Sequence, residues 1–313
     1  MRIIKPKKLN KGDLIGLVSP ASTPENSSTV EMGIMYLEKL GYKVLPGKNI
    51  HNNNGYLAGS DAERLEDLHE MFRRKDVKAV FCTRGGYGSP RLLDKIDYDL
   101  IRKNPKIFVG YSDITALQLA FLAKAGLITF AGPMLATDLS NHPDPYSEEI
   151  FWAMLTSNKK FGRVKLPEDQ KLIALKKGAA SGRITGGNLS LVAALTGTSY
   201  MPPMQDKILL LEDKAERPYR IDRMINQLKL AGILLKIKGL ILGRFVDCVE
   251  HDPYSKTLTL GEVIEDYFTP FKIPSVYNFP FGHIEKKFTI PIGIQIRLNA
   301  AREFVEITEN AVI

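Results

Sequence analysis

Lys106-Ile-Phe-Val-Gly-Tyr-Ser112-Asp-Ile-Thr-Ala-Leu117 is the stretch that fixes how the rest of the chain is read. Ile107 to Val109 is a short apolar run with the character of a buried strand. Gly110 and Tyr111 turn the chain. Ile114, Leu117, Leu119, Ala120 and Leu122 then follow a helical spacing. Ser112 therefore falls where a strand becomes a helix. A hydroxyl there points past the end of a sheet, beside the free N–H groups of a helix N-terminus. That position suits a nucleophile, and it equally suits an ordinary capping serine.

Upstream, the same alternation repeats. Leu14 to Ser19, Tyr42 to Leu45 and Val77 to Cys82 read as strands, and Leu127 to Phe130 as a further one. Between them, Val30 to Leu40 has helical spacing and stops at Gly41. Ser60-Asp-Ala-Glu63 is a capping box that opens another helix, with Leu65, Leu68, Met71 and Phe72 on one face. Tyr146 to Leu155 carries the only tryptophan, Trp152. Strands and helices at this spacing form βαβ units around a parallel sheet. Ligands of such sheets bind beyond the carboxyl ends of the strands. Two loops of unusual content lie there, Arg84-Gly-Gly-Tyr-Gly88 and Gly110-Tyr-Ser-Asp113. If their strands are neighbours in space, they share one crevice.

From Lys159 to Lys177 lysine becomes dense and helical periodicity fades, which marks a linker and the first strand of a second domain. The expected division is an N-terminal domain over 1–158, a linker over 159–177 and a C-terminal α/β domain over 178–313. In the latter, Ile184 to Ser190 enters a helix, and Lys207 to Glu212 is a strand ending in two acids, Glu212 and Asp213. Arg220 to Leu230 and Leu258 to Phe268 are helices. Leu240 to Phe245 and Ser275 to Phe279 are strands, and the segments Thr289 to Leu298 and Phe304 to Ile307 form an antiparallel close.

Composition bounds the chemistry. The chain has 313 residues, 44% hydrophobic and 25% charged, which suits a globular protein with a sizeable core. Its two cysteines, Cys82 and Cys248, form no C-x-x-C pair, so neither a zinc site nor a redox motif is expected. The basic N-terminus is followed by no apolar signal segment, and the apolar run from Ala231 to Gly243 is broken by lysines and glycines. The reading is a cytoplasmic protein with no membrane contact. A net charge of +8 favours acidic partners. The lysines are scattered rather than clustered with aromatics, so a small anionic ligand is expected and nucleic acid is not.

A serine nucleophile needs a base and an acid to orient it. His51, His251 and His142 sit in polar loops and His69 in a helix of mixed charge, so all four read as surface residues. His283 differs, lying after a strand in the apolar turn Pro280-Phe-Gly-His283. For the acid, Glu212 and Asp213 compete at the end of one apolar strand, where an unpaired charge is costly. The backbone N–H groups of Gly86 and Asp113 are candidate oxyanion donors. The glycine loop lacks the phosphate-binding patterns G-x-G-x-x-G and G-x-x-x-x-G-K-[ST]. Ser112 lacks the G-x-S-x-G elbow because Ile114 holds the last glycine position, which disfavours an α/β-hydrolase.

Arg84-Gly-Gly-Tyr-Gly88, Gly110-Tyr-Ser-Asp-Ile-Thr115, Gly186-Gly-Asn-Leu-Ser190, Leu210-Leu-Glu212-Asp213 and Phe281-Gly-His283 occur in one order. Together they resemble the LD-carboxypeptidases, serine peptidases that include murein tetrapeptide carboxypeptidase and microcin C self-immunity proteins. The resemblance runs from Gly12 to Asn299. It implies a flavodoxin-like N-terminal domain, a smaller C-terminal α/β domain, and an active site between them. It further implies a triad of Ser112, Glu212 and His283, a homodimer, no metal or cofactor, and release of the terminal D-alanine from murein tetrapeptides during cell-wall recycling. On that basis Arg84 is a candidate for pairing with the substrate's free carboxylate. Two other readings stand beside it. One is a microcin-immunity-like peptidase acting on peptidyl or aminoacyl adenylates, although the compact segment Asp213 to Tyr219 offers no tryptophan as an adenine platform. The other is a non-catalytic flavin or nucleotide-binding protein on the same sheet.

Overall fold

Five apolar strands supply the first sheet: β1 (Leu14–Val18), β2 (Lys43–Pro46), β3 (Val77–Cys82), β4 (Ile107–Gly110) and β5 (Thr129–Ala131). They lie parallel in the order β2-β1-β3-β4-β5, which is the flavodoxin-like order. The helices between them are α1 (Ser28–Lys39), α2 (Asp61–Arg73), α3 (Tyr98–Lys103) and α4 (Thr115–Ala120), with α5 (Pro145–Thr156) after β5. These assignments come from a computed structural model that describes residues 2–252 and 254–313.

Local chemistry sets the element ends as the sequence implies. Ser60 and Glu63 form the reciprocal capping box of α2, whose buried face includes Leu68, Met71 and Phe72. Asp144 caps α5 through the N–H groups of Tyr146 and Ser147, with Pro145 at the first helical position. β3 and β4 are direct neighbours, with Phe81 opposite Val109. The two unusual loops that follow them therefore do open side by side.

The second sheet has eight strands of mixed direction. It contains β6 (Gly162–Arg163), β7 (Ile173–Lys176), β8 (Ala179–Asn188), β9 (Ile208–Lys214), β10 (Gly239–Val246) and β11 (Ser275–Tyr277). Helices α6 (Leu189–Leu195), α7 (Pro218–Leu230), α8 (Ile233–Lys236) and α9 (Leu260–Phe268) accompany them. The segment from Thr289 to Leu298, expected as one strand, is two. β12 (Ile290–Ile292) joins the first sheet, antiparallel to β5, while β13 (Gln295–Asn299) lies between β8 and β14 (Phe304–Ile307) in the second. Gly293, at φ +96°, makes the break. The chain thus crosses back to the first sheet close to its end, just after the turn that carries His283.

Candidate active site

Ser112 is reached by a tight turn after β4 that needs a glycine at position 110. A side chain at Gly110 would sit 2.6 Å from Cγ2 of Ile114, so the glycine lets the chain fold tightly back over its own first turn. Ile114 thereby fills the place where an elbow would use a second glycine. Ser112 itself adopts φ +62°, a left-handed conformation that costs a non-glycine residue about 1–3 kcal/mol. Tyr111 before it is extended, and no side chain caps the turn. Ser112 is therefore not an ordinary cap.

Its Oγ lies 2.9 Å from Nε2 of His283, and Nδ1 of His283 lies 2.9 Å from Oε2 of Glu212. β9 of the second sheet supplies Glu212, and the turn that leads from β11 to β12 supplies His283. β9 is buried through Asp213, which leaves the Glu212 side chain fully buried, and the His283 side chain is only 15% exposed. Glycine makes room for the acid, since a Cβ on Gly282 would stand 2.9 Å from Oε2 of Glu212. Asn188, the cap of α6, donates from Nδ2 to Glu212 (3.3 Å) and to Asp213 (2.9 Å). Its backbone N–H donates to Oγ1 of Thr115 at the start of α4, joining the end of β8 to the N-terminal domain.

The competition between the two acids resolves geometrically. Asp213 turns away from His283 and accepts from the N–H and hydroxyl of Ser190 and from the Lys214 N–H. Burial, with Glu212 beside it, pushes its pKa up to about 6.

The glycine loop after β3 is fastened against the serine turn. Asp113 is buried, and its carboxylate accepts from the Ser89 N–H at 2.8 Å while the Ser89 hydroxyl donates to the Asp113 carbonyl at 2.6 Å. Arg64, fully buried on α2, donates to the carbonyls of Pro20 and Gly88. A Cβ on Gly85 would stand 2.9 Å from Cβ of Ser112 and 3.4 Å from the Asp113 nitrogen. Gly86 follows at φ +105°. Arg84 lines the same space, but its guanidinium bonds the Thr23 carbonyl and the exposed Glu25 carboxylate, both at 3.2 Å.

These groups open on a cleft of about 940 Å³. Its wall includes residues that sequence reasoning passed over. His142, exposed as expected, also lines the cleft, at φ +46°. Lys287 is buried and ion-paired with Asp138, and its Nζ also donates to the Tyr111 hydroxyl at 2.9 Å. Among the described residues no three His, Cys, Asp or Glu side chains converge as metal ligands. No helix among them is long and apolar enough to cross a membrane.

Residues 15–132 match the LD-carboxypeptidase N-terminal domain, and residues 181–298 the LD-carboxypeptidase C-terminal domain. The chain is 42% identical to a protein of Bacillus subtilis (strain 168) named probable murein peptide carboxypeptidase, over 96% of this chain and 92% of that one. It is 31% identical to the microcin C7 self-immunity protein MccF of Escherichia coli, over 95% and 94% of the two chains. Among solved structures, the muramoyltetrapeptide carboxypeptidase of Oxalobacter formigenes superposes with a TM-score of 0.81 at 31% identity, over 94% of this chain and 97% of that one.

Proposed function

Because the chain belongs to the LD-carboxypeptidase family, we propose that it is a serine carboxypeptidase that releases the terminal D-alanine from murein tetrapeptides. The observation that carries this reading is the hydrogen-bonded series Ser112–His283–Glu212, in which Ser112 and His283 line one cleft and Glu212 is buried behind them. The similarity to the named murein peptide carboxypeptidases supports the substrate class.

In the proposed reaction Ser112 Oγ attacks the carbonyl that precedes D-alanine. His283 takes the hydroxyl proton on Nε2 while its Nδ1–H donates to Glu212, which orients the ring and stabilises the imidazolium. The N–H groups of Gly86 and Asp113 meet the developing oxyanion. As the tetrahedral centre collapses, Nε2–H protonates the departing amine of D-alanine and leaves an acyl-Ser112. His283 then deprotonates a water, whose attack frees the tripeptide and returns the proton to Ser112. Arg84 is the proposed partner of the substrate's terminal carboxylate, which would take the place that Glu25 holds.

The aminoacyl-adenylate reading rests on the likeness to the microcin C7 self-immunity protein. Against it, the only tryptophan, Trp152, is half-buried against the core, stacked on Tyr42 with ring centroids 5.0 Å apart, and is not part of the cleft wall. Incubation with L-Ala-D-Glu-diaminopimelate-D-Ala, followed by assay of free D-alanine, tests the proposal. Wild type should release D-alanine and Ser112→Ala should not. Equal release by both, or release from neither, sinks it. Turnover of an aminoacyl sulfamoyl adenosine in place of the tetrapeptide would transfer the assignment to the second reading.

A further inference from the structure

The turn that carries His283 is tied to the segment after β5 by a buried ion pair between Lys287 and Asp138, which the proton relay itself does not use. Lys287, four residues past His283, has a side chain only 6% exposed, and Asp138 is 14% exposed. Asp138 is fixed in turn: its second oxygen accepts from the Met134 N–H at 2.9 Å and from the Thr137 hydroxyl at 2.8 Å. Lys287 Nζ lies 4.3 Å from the centroid of the Tyr111 ring and donates to the Tyr111 hydroxyl. The same ring packs on the His283 imidazole, with centroids 5.1 Å apart and planes tilted by 60°. The Ser147 hydroxyl secures the backbone of this turn. It donates to the Glu285 carbonyl and accepts from the Lys287 N–H.

A buried ion pair is weak evidence for stability, because desolvation offsets much of the attraction. A specific arrangement is the better-attested reason to keep one. Here the arrangement is plain: the pair holds Tyr111, Tyr111 abuts the imidazole, and Tyr111 is also the residue before Ser112. We infer that Lys287, anchored by Asp138, is a positioning residue that sets the His283 ring on Ser112 through Tyr111. The inference rests on the proposed triad. Its charge is neutralised by Asp138 on the spot, so Lys287 serves the geometry of the base rather than attraction of an anionic substrate.

Two variants and two readouts test this. Lys287→Met keeps the length of the apolar stem and removes the ammonium. Lys287→Met with Asp138→Leu removes both charges, so that no orphan carboxylate remains to unfold the protein. Both should lower kcat for D-alanine release by roughly 10- to 100-fold, the loss that follows from a misplacement of about 1 Å, with KM within about twofold. The downfield proton resonance of the His283 Nδ1–H should shift or broaden in both. A kcat equal to wild type in the double variant, or an unchanged resonance, overturns the inference. So does a raised KM at unchanged kcat, which would make Lys287 a substrate-binding group. Inactivity of the wild type would instead strike the proposed function, so the two failures are distinguishable.

Discussion

Asp213 and Glu212 share a strand end and do different work. Glu212 is committed to His283, whereas Asp213 is committed to the start of α6 through Ser190. The raised pKa of Asp213, about 6 against an ordinary 3.8, has a consequence for stability. The folded state holds this proton more tightly than the unfolded chain. The stabilisation is therefore complete below about pH 4 and disappears as pH rises through about 6. Asp213→Asn cannot ionise, so the stability of wild type relative to this variant should fall between pH 4 and 6, measured by urea unfolding at pH 4 and 7. A difference that stays constant with pH contradicts the assignment. Much of the hydrogen-bonded series Ser112–His283–Glu212, the proposed triad, was legible at this level. An acid ending a wholly apolar strand and a histidine in an apolar turn both stand out in sequence; the residues alone leave Asp213 as a competitor to Glu212, the family resemblance implies Glu212, and the geometry pairs Glu212 with His283. Lys287 did not stand out, because Lys286-Lys287 reads as a solvated pair. In fact Lys286 reaches the exposed Asp169 while its neighbour is buried.

The elements around the site depend on glycines that admit another backbone. Gly186 on β8 is the clearest: φ is +118°, and a Cβ there would meet the Leu210 carbonyl oxygen at 2.1 Å. Next to it, a Cβ on Gly187 would meet Oγ1 of Thr115 at 2.7 Å, in the contact that carries the Asn188 bond from β8 to α4. Gly186→Ala should lose at least about 2 kcal/mol of unfolding free energy, from strain and overpacking together. Gly197→Ala, also at positive φ but with nothing within 4 Å, should lose only about 1 kcal/mol. Equal losses would show that backbone conformation alone, and not the close approach of β9, accounts for Gly186. The strands and helices of the first sheet were readable from period and caps. The division between β12 and β13 was not. Ile290, Ile292, Ile294, Ile296 and Leu298 keep one period-two pattern through the break, since every one of them is buried, whichever sheet it faces.

At the scale of the molecule, neither sheet alone holds the series Ser112–His283–Glu212. Each of the two large apolar clusters draws on both: Ile15, Leu17 and Phe130 pack in one with Ile184, Ile208 and Ile296, and Phe108, Leu117 and Phe121 in the other with Leu189, Leu209 and Leu240. The close approach of Ser112 and His283 is thus backed by a continuous core rather than by the triad bonds alone. The net charge of +8 does not localise to the cleft, where Asp138, Asp144, Asp213, Glu216 and Glu285 face Arg84, Lys214 and Lys287. For the proposed anionic peptide, bulk charge would therefore bear on encounter and not on binding. Nor could any window of sequence show that residues 112, 212 and 283 meet, because their meeting depends on how the two sheets dock. Covalent labelling tests that meeting directly and needs no knowledge of the substrate. A fluorophosphonate, with the adduct mapped by mass spectrometry, should mark Ser112 in wild type, leave His283→Ala unlabelled and mark Glu212→Gln more slowly. Absence of the adduct from Ser112, or labelling of His283→Ala at the wild-type rate, would contradict a serine activated across the two sheets.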